Sequence, residues 1–449
     1  MKRLPFVEPA VMLATVVQWL VLATATGALV GTATSGFLLA LFALAGNSYS
    51  LVLWQQMLLL PAAGLANGLL LYYGYRHVGT LKDSEILAVN DQHGHMPLRT
   101  ALVKPIAGLI TLWGGGSAGK EGPCSHIGAS VAAALGEALH LNSEIRKRLV
   151  ACGVSAGFAS VFGTPVAGAI YGVEVLAIGR VRHDFLFPGL VAGVTSYQVS
   201  LFWGVPYPEY HLSFAGHFTQ LLFLKTVLIG ILCGVAAWWF VEAIRRVRQA
   251  AAWVRRRFNL WQPLVPMLGG FVLAALIAFV PTDYLGLSLP TLHAALDGQP
   301  MPYLGAVWKI LLVAITLGSG FYGGVVTPQF VIGAVTGSAF AHFFGLGAAL
   351  GAGVGFCAVV AAASNTPVAA IFMGVELFGG GSTLYVAGAS IAAYLIVGHR
   401  SVYPEQQLAY TKTSWLSARP DVMVGREKVH LSHGLLRWWH IHFENGRRK

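Results

Sequence analysis

The sequence has little charge, few acidic residues and few cysteines. Only 10% of its 449 residues are charged, whereas 56% are hydrophobic, and so little charge excludes an ordinary soluble domain. The cysteines lie apart in apolar segments, without the spacing of a metal or redox site, and we expect them to be packing thiols. They are Cys124, Cys152, Cys233 and Cys357. The sequence therefore predicts no metal and no organic cofactor.

Basic residues outnumber acidic residues by 29 to 18, which by itself would permit a nucleic acid partner. The basic residues, however, form short clusters between apolar runs, among them Arg146–Arg148, Arg245–Arg257 and the C-terminal end. Charge placed in this way is typical of the cytosolic loops of a membrane protein, and we expect no nucleic acid partner. We predict a multi-pass protein of the plasma (inner) membrane, in contact with the lipid bilayer, with both termini cytosolic.

Apolar runs recur along the whole chain, and glycine is abundant in them. Some runs reach the roughly 20 residues that cross a bilayer, whereas others are short or interrupted by Gly or Pro. Interrupted runs of this kind predict broken and half-spanning helices. The 54 glycines suit close packing of helices in lipid. The predicted fold class is an all-α polytopic membrane protein.

The chain contains an internal repeat. Residues 164–174, TPVAGAIYGVE, and residues 366–376, TPVAAIFMGVE, agree at seven of eleven positions. Upstream of each copy, PCSHIGA from Pro123 corresponds to PQFVIGA from Pro328, and each follows a glycine cluster. We therefore predict a first membrane repeat at 1–208, a second at 209–410 and a short basic cytosolic tail at 411–449. Transporter halves of this kind are commonly inverted, with broken helices that meet near the membrane midplane.

The glycine cluster GGGSAGKEGP at 114–123 carries two charges, Lys120 and Glu121, between apolar runs. In both halves the cluster ends in proline, as expected where a loop starts a helix. Helix starts offer unpaired N–H groups and partial positive charge, so two starts that meet inside the membrane form an anion site. Glu121 would occupy that site as a tethered anion and leave when a mobile ion arrives or when it is protonated. This predicts that Glu121 is a gate and proton acceptor.

Three other interpretations fit the same residues. The stretch nearly matches a phosphate-binding loop, but Glu121 replaces the hydroxyl that would hold magnesium. Ser117 lies in a G-x-S-x-G sequence, which leaves an intramembrane serine hydrolase as a distant alternative. Lys120 and Glu121 could also simply neutralise each other. Because charges inside membranes are costly and mostly functional, we favour transport without enzymatic activity.

Several motifs together resemble the CLC family of chloride channels and proton-coupled anion exchangers, over about residues 60–405. GKEGP at 119–123 resembles the family's G-[KR]-E-G-P, and GGVVTP at 323–328 resembles its G-x-F-x-P. The segments 157–174 and 358–376 resemble two of its paired helices, and SVYPEQ at 401–406 resembles the segment with its pore tyrosine. The short tail resembles the prokaryotic type, which lacks regulatory nucleotide-binding domains.

The resemblance implies two inverted repeats, a homodimer with one pore in each subunit, and movement of inorganic anions, with chloride favoured. It makes Glu121 the gating glutamate. It assigns the backbone of Val325 and Val326 and the hydroxyl of Tyr403 to a bound chloride or fluoride ion. The other motif residues expected around the anion are Gly119, Lys120, Gly122 and Gly324.

The first anion loop departs from the family pattern. The family has G-S-G-I-P there, whereas the corresponding GTLKDSEILAVN at 79–90 lacks the central serine and the following proline. Thr80 or Lys82 could supply the lost donor. Fluoride-exporting relatives also depart at this loop, so fluoride stays open beside chloride.

The second departure concerns protons. Proton-coupled relatives often carry a glutamate just after the VE of the first repeat, and here Val175 stands at that place, after Glu174. Glu174 or water could replace this inner proton relay, but Glu174 and Glu376 could equally cap or brace helices. The sequence therefore favours a passive channel, with a proton-coupled chloride or fluoride exchanger as the alternative.

Overall fold

A computed structural model describes residues 7–48, 52–76, 84–208, 210, 212, 218–427 and 429–432. These residues form sixteen α-helices. In chain order the helices are α1 Val7–Ser48, α2 Leu53–Tyr75, α3 Glu85–Asn90, α4 Thr100–Trp113, α5 Glu121–Ala138, α6 Ser143–Phe162, α7 Pro165–Glu174, α8 Leu186–Phe202, α9 Gln220–Arg257, α10 Leu264–Leu276, α11 Leu289–Leu296, α12 Gly305–Gly318, α13 Val326–Ala341, α14 Ala348–Ala363, α15 Pro367–Phe378 and α16 Thr383–Ile396.

The remaining regular structure consists of very short pieces. The strands are β1 Ala177–Ile178, β2 Gln407–Leu408, β3 Leu416–Ser417, β4 Val422–Met423 and β5 His430–Leu431. Single 3-10 turns lie at His183–Phe185, Thr282–Tyr284, His342–Phe344 and Gly380–Ser382.

Helix length varies in the way that the interrupted apolar runs predict. Within the described residues, four helical segments are long and apolar enough to cross a membrane, in α1, α2, α9 and at His183–Phe202. The other apolar helices are shorter, with 10 to 17 residues each, so they span only part of a bilayer. The predicted all-α polytopic fold with half-spanning helices is confirmed.

The two halves build the same local arrangement. In the first half α5 packs against α6 where Gly128 faces Gly153, and in the second half α13 packs against α14 where Gly333 faces Gly355. A Cβ atom on any of these glycines would collide with the backbone of the facing helix. Close approach of backbones through glycine is the usual solution for helices that pack in lipid. The glycines of both halves therefore fix the positions of α5 and α13.

The halves also hold each other through two equivalent glutamates. Glu174, at the end of α7, accepts hydrogen bonds from Val368 N and Ala369 N at the start of α15, at 3.1 and 2.8 Å. Glu376, on α15, accepts hydrogen bonds from Val166 N and Ala167 N at the start of α7, at 2.9 and 2.8 Å. A carboxylate suits a helix start because it binds the unpaired N–H groups and the positive end of the helix dipole.

The repeat extends further upstream than the sequence motifs indicate. KPIAGLITL at 104–112 aligns with KILLVAITL at 309–317, and these segments lie in α4 and α12, which precede the two glycine clusters. Lys309 is fully buried and donates to Gly286 O and Ser288 Oγ at 2.9 and 2.8 Å. Lys104 is also buried, beside His126 of α5. Each half therefore contains one buried lysine at the same place.

The segment after α16 folds back onto the helices. β2 pairs in parallel with β1, directly after α7, and antiparallel with β4. Gln406 is fully buried and donates to Val175 O and Ser364 O, at 2.9 and 2.8 Å. These contacts anchor the chain next to Tyr403, which lies three residues before Gln406.

Candidate anion site

The two glycine clusters meet face to face. Gly119 N donates to Gly324 O and Gly324 N donates to Gly119 O, both at 2.8 Å, as an isolated antiparallel bridge. Each glycine lies two residues before a helix, because α5 begins at Glu121 and α13 at Val326. Two helix starts from different halves are thus held side by side, and their positive ends converge on one place.

The carboxylate of Glu121 occupies this place. Its side chain is buried, with 3% of its surface exposed. Its Oε1 accepts a hydrogen bond from Val326 N at 2.5 Å, and its Oε2 accepts one from Thr327 Oγ1 at 2.6 Å. The first-half glutamate therefore binds the start of the second-half helix in the way that a free anion would.

Three glycines make room for this carboxylate. A Cβ atom on Gly119 or Gly324 would collide with the carboxylate oxygens of Glu121, and one on Gly122 would collide with the backbone of Gly324. The sequence analysis expected these glycines around an anion; in the structure Gly119 and Gly324 border the carboxylate, and Gly122 borders the backbone of Gly324. Glycine is required here because a backbone must come close to a charged group.

Thr327 is a site residue that the sequence analysis missed. It lies in GGVVTP, whose valines were the expected anion donors, and its hydroxyl donates directly to Glu121. The repeat could have pointed to Thr327. When the two halves are aligned with an offset of 205 residues, Thr327 corresponds to Gly122 and Val326 to Glu121. At this helix start the first half has glycine and the second half has threonine. The shared packing of the two halves does not require a hydroxyl there, so the threonine indicates a hydrogen-bond donor with another role.

Glu121 and Thr327 line two different cavities. The central cavity, of about 90 Å³, is lined by Glu85, Glu121, Gly122, Ser125, His126, Phe158, Tyr171, Tyr322, Gly323, Gly324, Val325 and Tyr403. The lysine cavity, of about 270 Å³, includes Lys120, Phe162, Tyr207, His293 and Thr327 in its lining. The bond between Glu121 and Thr327 thus joins a residue of the central cavity to a residue of the lysine cavity.

Lys120 does not pair with Glu121, although the two are neighbours in sequence. Its ammonium lies 5.1 Å from the ring centre of Phe42 and 5.9 Å from that of Phe162, in the lysine cavity. The simple neutralisation of Lys120 by Glu121 therefore does not describe this geometry. Its close contacts are cation–π contacts with the two rings.

Tyr403 lies on the wall of the central cavity, as Glu121 does. Its hydroxyl is 2.6 Å from the hydroxyl of Tyr171, a residue of α7 that the sequence analysis did not identify. The Tyr171 ring stacks on Phe158 with 4.0 Å between ring centres. Because each hydroxyl has one hydrogen, one tyrosine donates to the other and the second hydroxyl hydrogen remains for another acceptor.

A group of ionisable side chains lines the same cavity. His126 Nε2 lies 2.7 Å from Lys104 Nζ and 3.0 Å from Glu85 Oε2. His126 Nδ1 lies 2.8 Å from Gly122 O and 3.1 Å from the hydroxyl of Tyr322. The sequence analysis did not identify this group, although the repeat aligns His126 with Val331.

Of the other predicted residues, Glu174, Val175 and Ser117 lie in the described part of the chain. Thr80 and Lys82, proposed for the first anion loop, lie outside the described residues. Val175 is buried and apolar, with 2% of its surface exposed. Glu174 caps α15 with both carboxylate oxygens. Ser117 is fully buried and its hydroxyl donates to Tyr284 O at 2.9 Å, and a carbonyl cannot act as the base of a serine nucleophile.

Comparison with known proteins gives consistent results. The sequence profile described as "Voltage gated chloride channel" matches residues 62–398. A "Chloride/fluoride channel protein" of Pseudomonas syringae pv. tomato is 36% identical over 406 residues, which is 88% of each chain. The chain resembles the crystal structure of a CLC-type fluoride/proton antiporter with a TM-score of 0.81 and 29% identity, over 87% of this chain and 98% of that one.

A second solved structure supports the fold alone. The structure of a slow cyanobacterial Cl⁻/H⁺ antiporter matches with a TM-score of 0.71 and 21% identity, over 84% of this chain and 94% of that one.

Proposed function

Because the chain belongs to the CLC family of voltage-gated chloride channels, we propose that it exchanges fluoride for protons across the membrane. It is a multi-pass membrane protein for the transport of inorganic anions. In the proposed exchange, Glu121 alternates between occupying the anion site as a carboxylate and leaving it as a neutral acid. The proposal includes a homodimer with one pore per subunit, and the molar mass of the purified protein in detergent checks this part.

The single observation that carries the proposal is the position of the Glu121 carboxylate. It is held by Val326 N and Thr327 Oγ1, next to both cavities. The helix starts attract negative charge, so a fluoride ion and the carboxylate compete for the same donors. Protonation removes the charge of Glu121 and frees the donors for the ion. One residue thereby links the movement of the anion to the movement of a proton.

Fluoride is favoured over chloride by the chemistry of the site. The donors here include the hydroxyl of Thr327, which binds the Glu121 carboxylate, and those of Tyr171 and Tyr403, which line the central cavity. Fluoride is the smallest halide and forms the strongest hydrogen bonds, so it gains most from short contacts with hydroxyl groups. Fluoride is also the ion in the names of the Pseudomonas syringae relative and of the antiporter structure with 29% identity.

A passive chloride channel is the second candidate, and one observation favours it. Val175 stands where proton-coupled relatives often carry a glutamate, and its side chain is buried among apolar neighbours. A pore without a proton path would let anions pass without coupling. The two candidates differ in one measurable quantity, the number of protons moved per anion.

The test uses purified full-length protein in liposomes loaded with potassium fluoride or potassium chloride. A fluoride or chloride electrode follows anion release, and a pH electrode in weakly buffered medium follows proton uptake. We expect fluoride release that is faster than chloride release and accompanied by proton uptake. Glu121→Gln, which cannot exchange a proton, should lower the ratio of protons to fluoride at least about tenfold.

Glu137→Gln is the matched control, because Glu137 lies on the same helix with 47% of its side chain exposed. It should transport like the wild-type protein. Folded wild-type protein that moves neither anion would contradict the proposal as a whole. Anion release without protons, in wild type and in Glu121→Gln alike, would replace it with the passive channel.

A further inference from the structure

Four ionisable side chains from different elements meet at His126, and three of them, Glu85, His126 and Tyr322, line the central cavity. His126 of α5 contacts Glu85 of α3 and Lys104 of α4, and Tyr322 approaches it from the loop before α13. The side chains of His126 and Glu85 are 11% and 13% exposed. Ser125 Oγ donates to the second oxygen of Glu85 at 3.1 Å. Glu121, Tyr171 and Tyr403 are further titratable groups on the wall of the same cavity.

The contacts of the imidazole suit both of its protonation states. Its Nδ1–H is directed to Gly122 O and to the oxygen of Tyr322, which leaves Nε2 as the atom that gains or loses a proton. In the neutral state, Nε2 accepts a hydrogen bond from the Lys104 ammonium at 2.7 Å. In the charged state, Nε2–H donates to Glu85 Oε2 at 3.0 Å. A histidine with a donor and an acceptor beside the same nitrogen is suited to carry a proton.

The group lies between the gate and one end of the molecule. Glu85 begins α3 at the central cavity, and Asn90 ends α3, donating to Leu176 O at 3.1 Å. Asn90 also lines a cavity of about 310 Å³ that contains Lys147 and Arg180. This basic end corresponds to the cytosolic side under the positive-inside rule. The path from Glu121 past His126 and Glu85 therefore leads toward the cytosol.

We infer that His126 and Glu85 form a proton-binding site of this transporter, through which Glu121 exchanges protons with the cytosolic side. The inference rests on the proposed fluoride–proton exchange. In the step toward the cytosol, the O–H bond of protonated Glu121 breaks and an N–H bond forms on His126 Nε2, which leaves a carboxylate and an imidazolium. Water carries the proton across the central cavity, whose volume equals roughly three molecules of liquid water. The Glu85 carboxylate stabilises the imidazolium, which then releases the proton to solvent.

The repeat supports a specialised role for His126. Packing alone would place similar side chains at equivalent positions, but the second half has Val331 at the position of His126. Lysine is present in both halves, as Lys104 and Lys309, and only Lys104 has a histidine beside it. The titratable group is therefore present only in the half that carries the gate.

The test compares the ratio of protons to fluoride in liposomes for wild type, His126→Gln and Glu85→Gln. Glutamine keeps size and polarity but cannot carry a proton. We expect either variant to lower the ratio at least about tenfold, the scale of a lost acid–base group, while fluoride release continues. His95→Gln is the matched control, since His95 pairs with Glu137 at 2.8 Å on the surface, with 41% of its side chain exposed. It should keep the wild-type ratio.

The ratio of protons to fluoride distinguishes a role of His126 and Glu85 in proton transfer from a purely structural role. A merely structural role would lower fluoride and proton movement together and leave the ratio unchanged, and that result in the two variants would overturn the inference alone. If one variant does not fold, as judged by gel filtration, the other decides. If wild-type protein releases no fluoride, or releases it without proton uptake, the proposed exchange is overturned. The proton-binding site at His126 and Glu85, which rests on that exchange, is then overturned as well.

Discussion

Glu121 has two ligands of different kinds in the anion site. The donor from Val326 is a backbone N–H, which every substitution except proline retains, whereas the donor from Thr327 is a side-chain hydroxyl. In the proposed exchange, both donors become available to the transported ion when Glu121 leaves. The hydroxyl is therefore the part of the site that the sequence can vary, and it is the place where selectivity between halides can be tuned.

Thr327→Val should reduce the preference for fluoride over chloride. Valine keeps the shape of threonine but removes the donor, and hydrogen bonds to charged groups contribute about 1.5–3 kcal/mol. Fluoride loses more than chloride because it is the stronger acceptor, so we expect the ratio of fluoride to chloride release to fall about tenfold. Electrode measurements on the same liposomes determine the ratio.

Thr327→Ser keeps the hydroxyl and serves as the control for this prediction. It should retain most of the wild-type preference. An equal loss of fluoride and chloride release in Thr327→Val, with the preference intact, would show that the hydroxyl only holds Glu121 and does not select the ion.

A site residue could be predicted from the sequence when the residues next to it in the chain reveal its role. Glu121 was predicted because a charge in a glycine cluster between apolar runs is conspicuous in the sequence. Its partner Thr327 was missed because the hydrogen bond joins residues 206 positions apart. His126 was missed for the same reason, since its charged partners lie on α3 and α4, and spacing within α5 gives no information about them.

At the scale of helices, α7 and α15 are coupled through their ends. Each ends near a glutamate that binds two N–H groups at the start of the other. The sequence left Glu174 and Glu376 open between capping and proton carriage, because equal positions in a repeat fit both roles. Their hydrogen bonds in the structure support capping, which depends on how the two halves pack and cannot be derived from either half alone.

Glu174→Gln and Glu376→Gln should each destabilise the protein by about 1–2 kcal/mol, the scale of a lost charged cap. The amide has one acceptor oxygen in place of two and no charge for the helix start. Thermal unfolding of the purified protein in detergent measures the effect. Glu144→Gln is the control, because the Glu144 side chain is 61% exposed and should contribute little.

The same variants also test the assignment of the proton path. Glu174→Gln should leave the ratio of protons to fluoride unchanged. A lowered ratio without loss of stability would assign Glu174 to the proton path and contradict its role as a cap.

For the whole molecule, composition and the repeat were sufficient to predict a polytopic helical protein with broken helices. They could not predict how the C-terminal segment docks. β1 and β2 contain two residues each, and strands of that length have no periodic pattern to detect. Gln406 fixes this segment through contacts with residues more than 40 positions away, so the placement of Tyr403 beside Tyr171 follows only from the packed fold.

Inversion of the two halves makes a prediction about sidedness. Glu144 lies at the start of α6, and Gly347 directly precedes the equivalent helix α14. The native cysteines are buried, so a cysteine introduced at either position should be the site that reacts with a membrane-impermeant maleimide. Glu144 is exposed, and a Cβ atom on Gly347 would meet no atom within 4 Å.

If the halves are inverted and the basic end is cytosolic, Gly347→Cys should be labelled in intact cells and Glu144→Cys only after the membrane is permeabilised. Wild-type protein should remain unlabelled in both conditions. Labelling of both variants from the same side would contradict the inversion of the halves. Labelling of Glu144→Cys alone in intact cells would keep the inversion but place the basic end outside, and the path past His126 would then deliver protons to the opposite compartment.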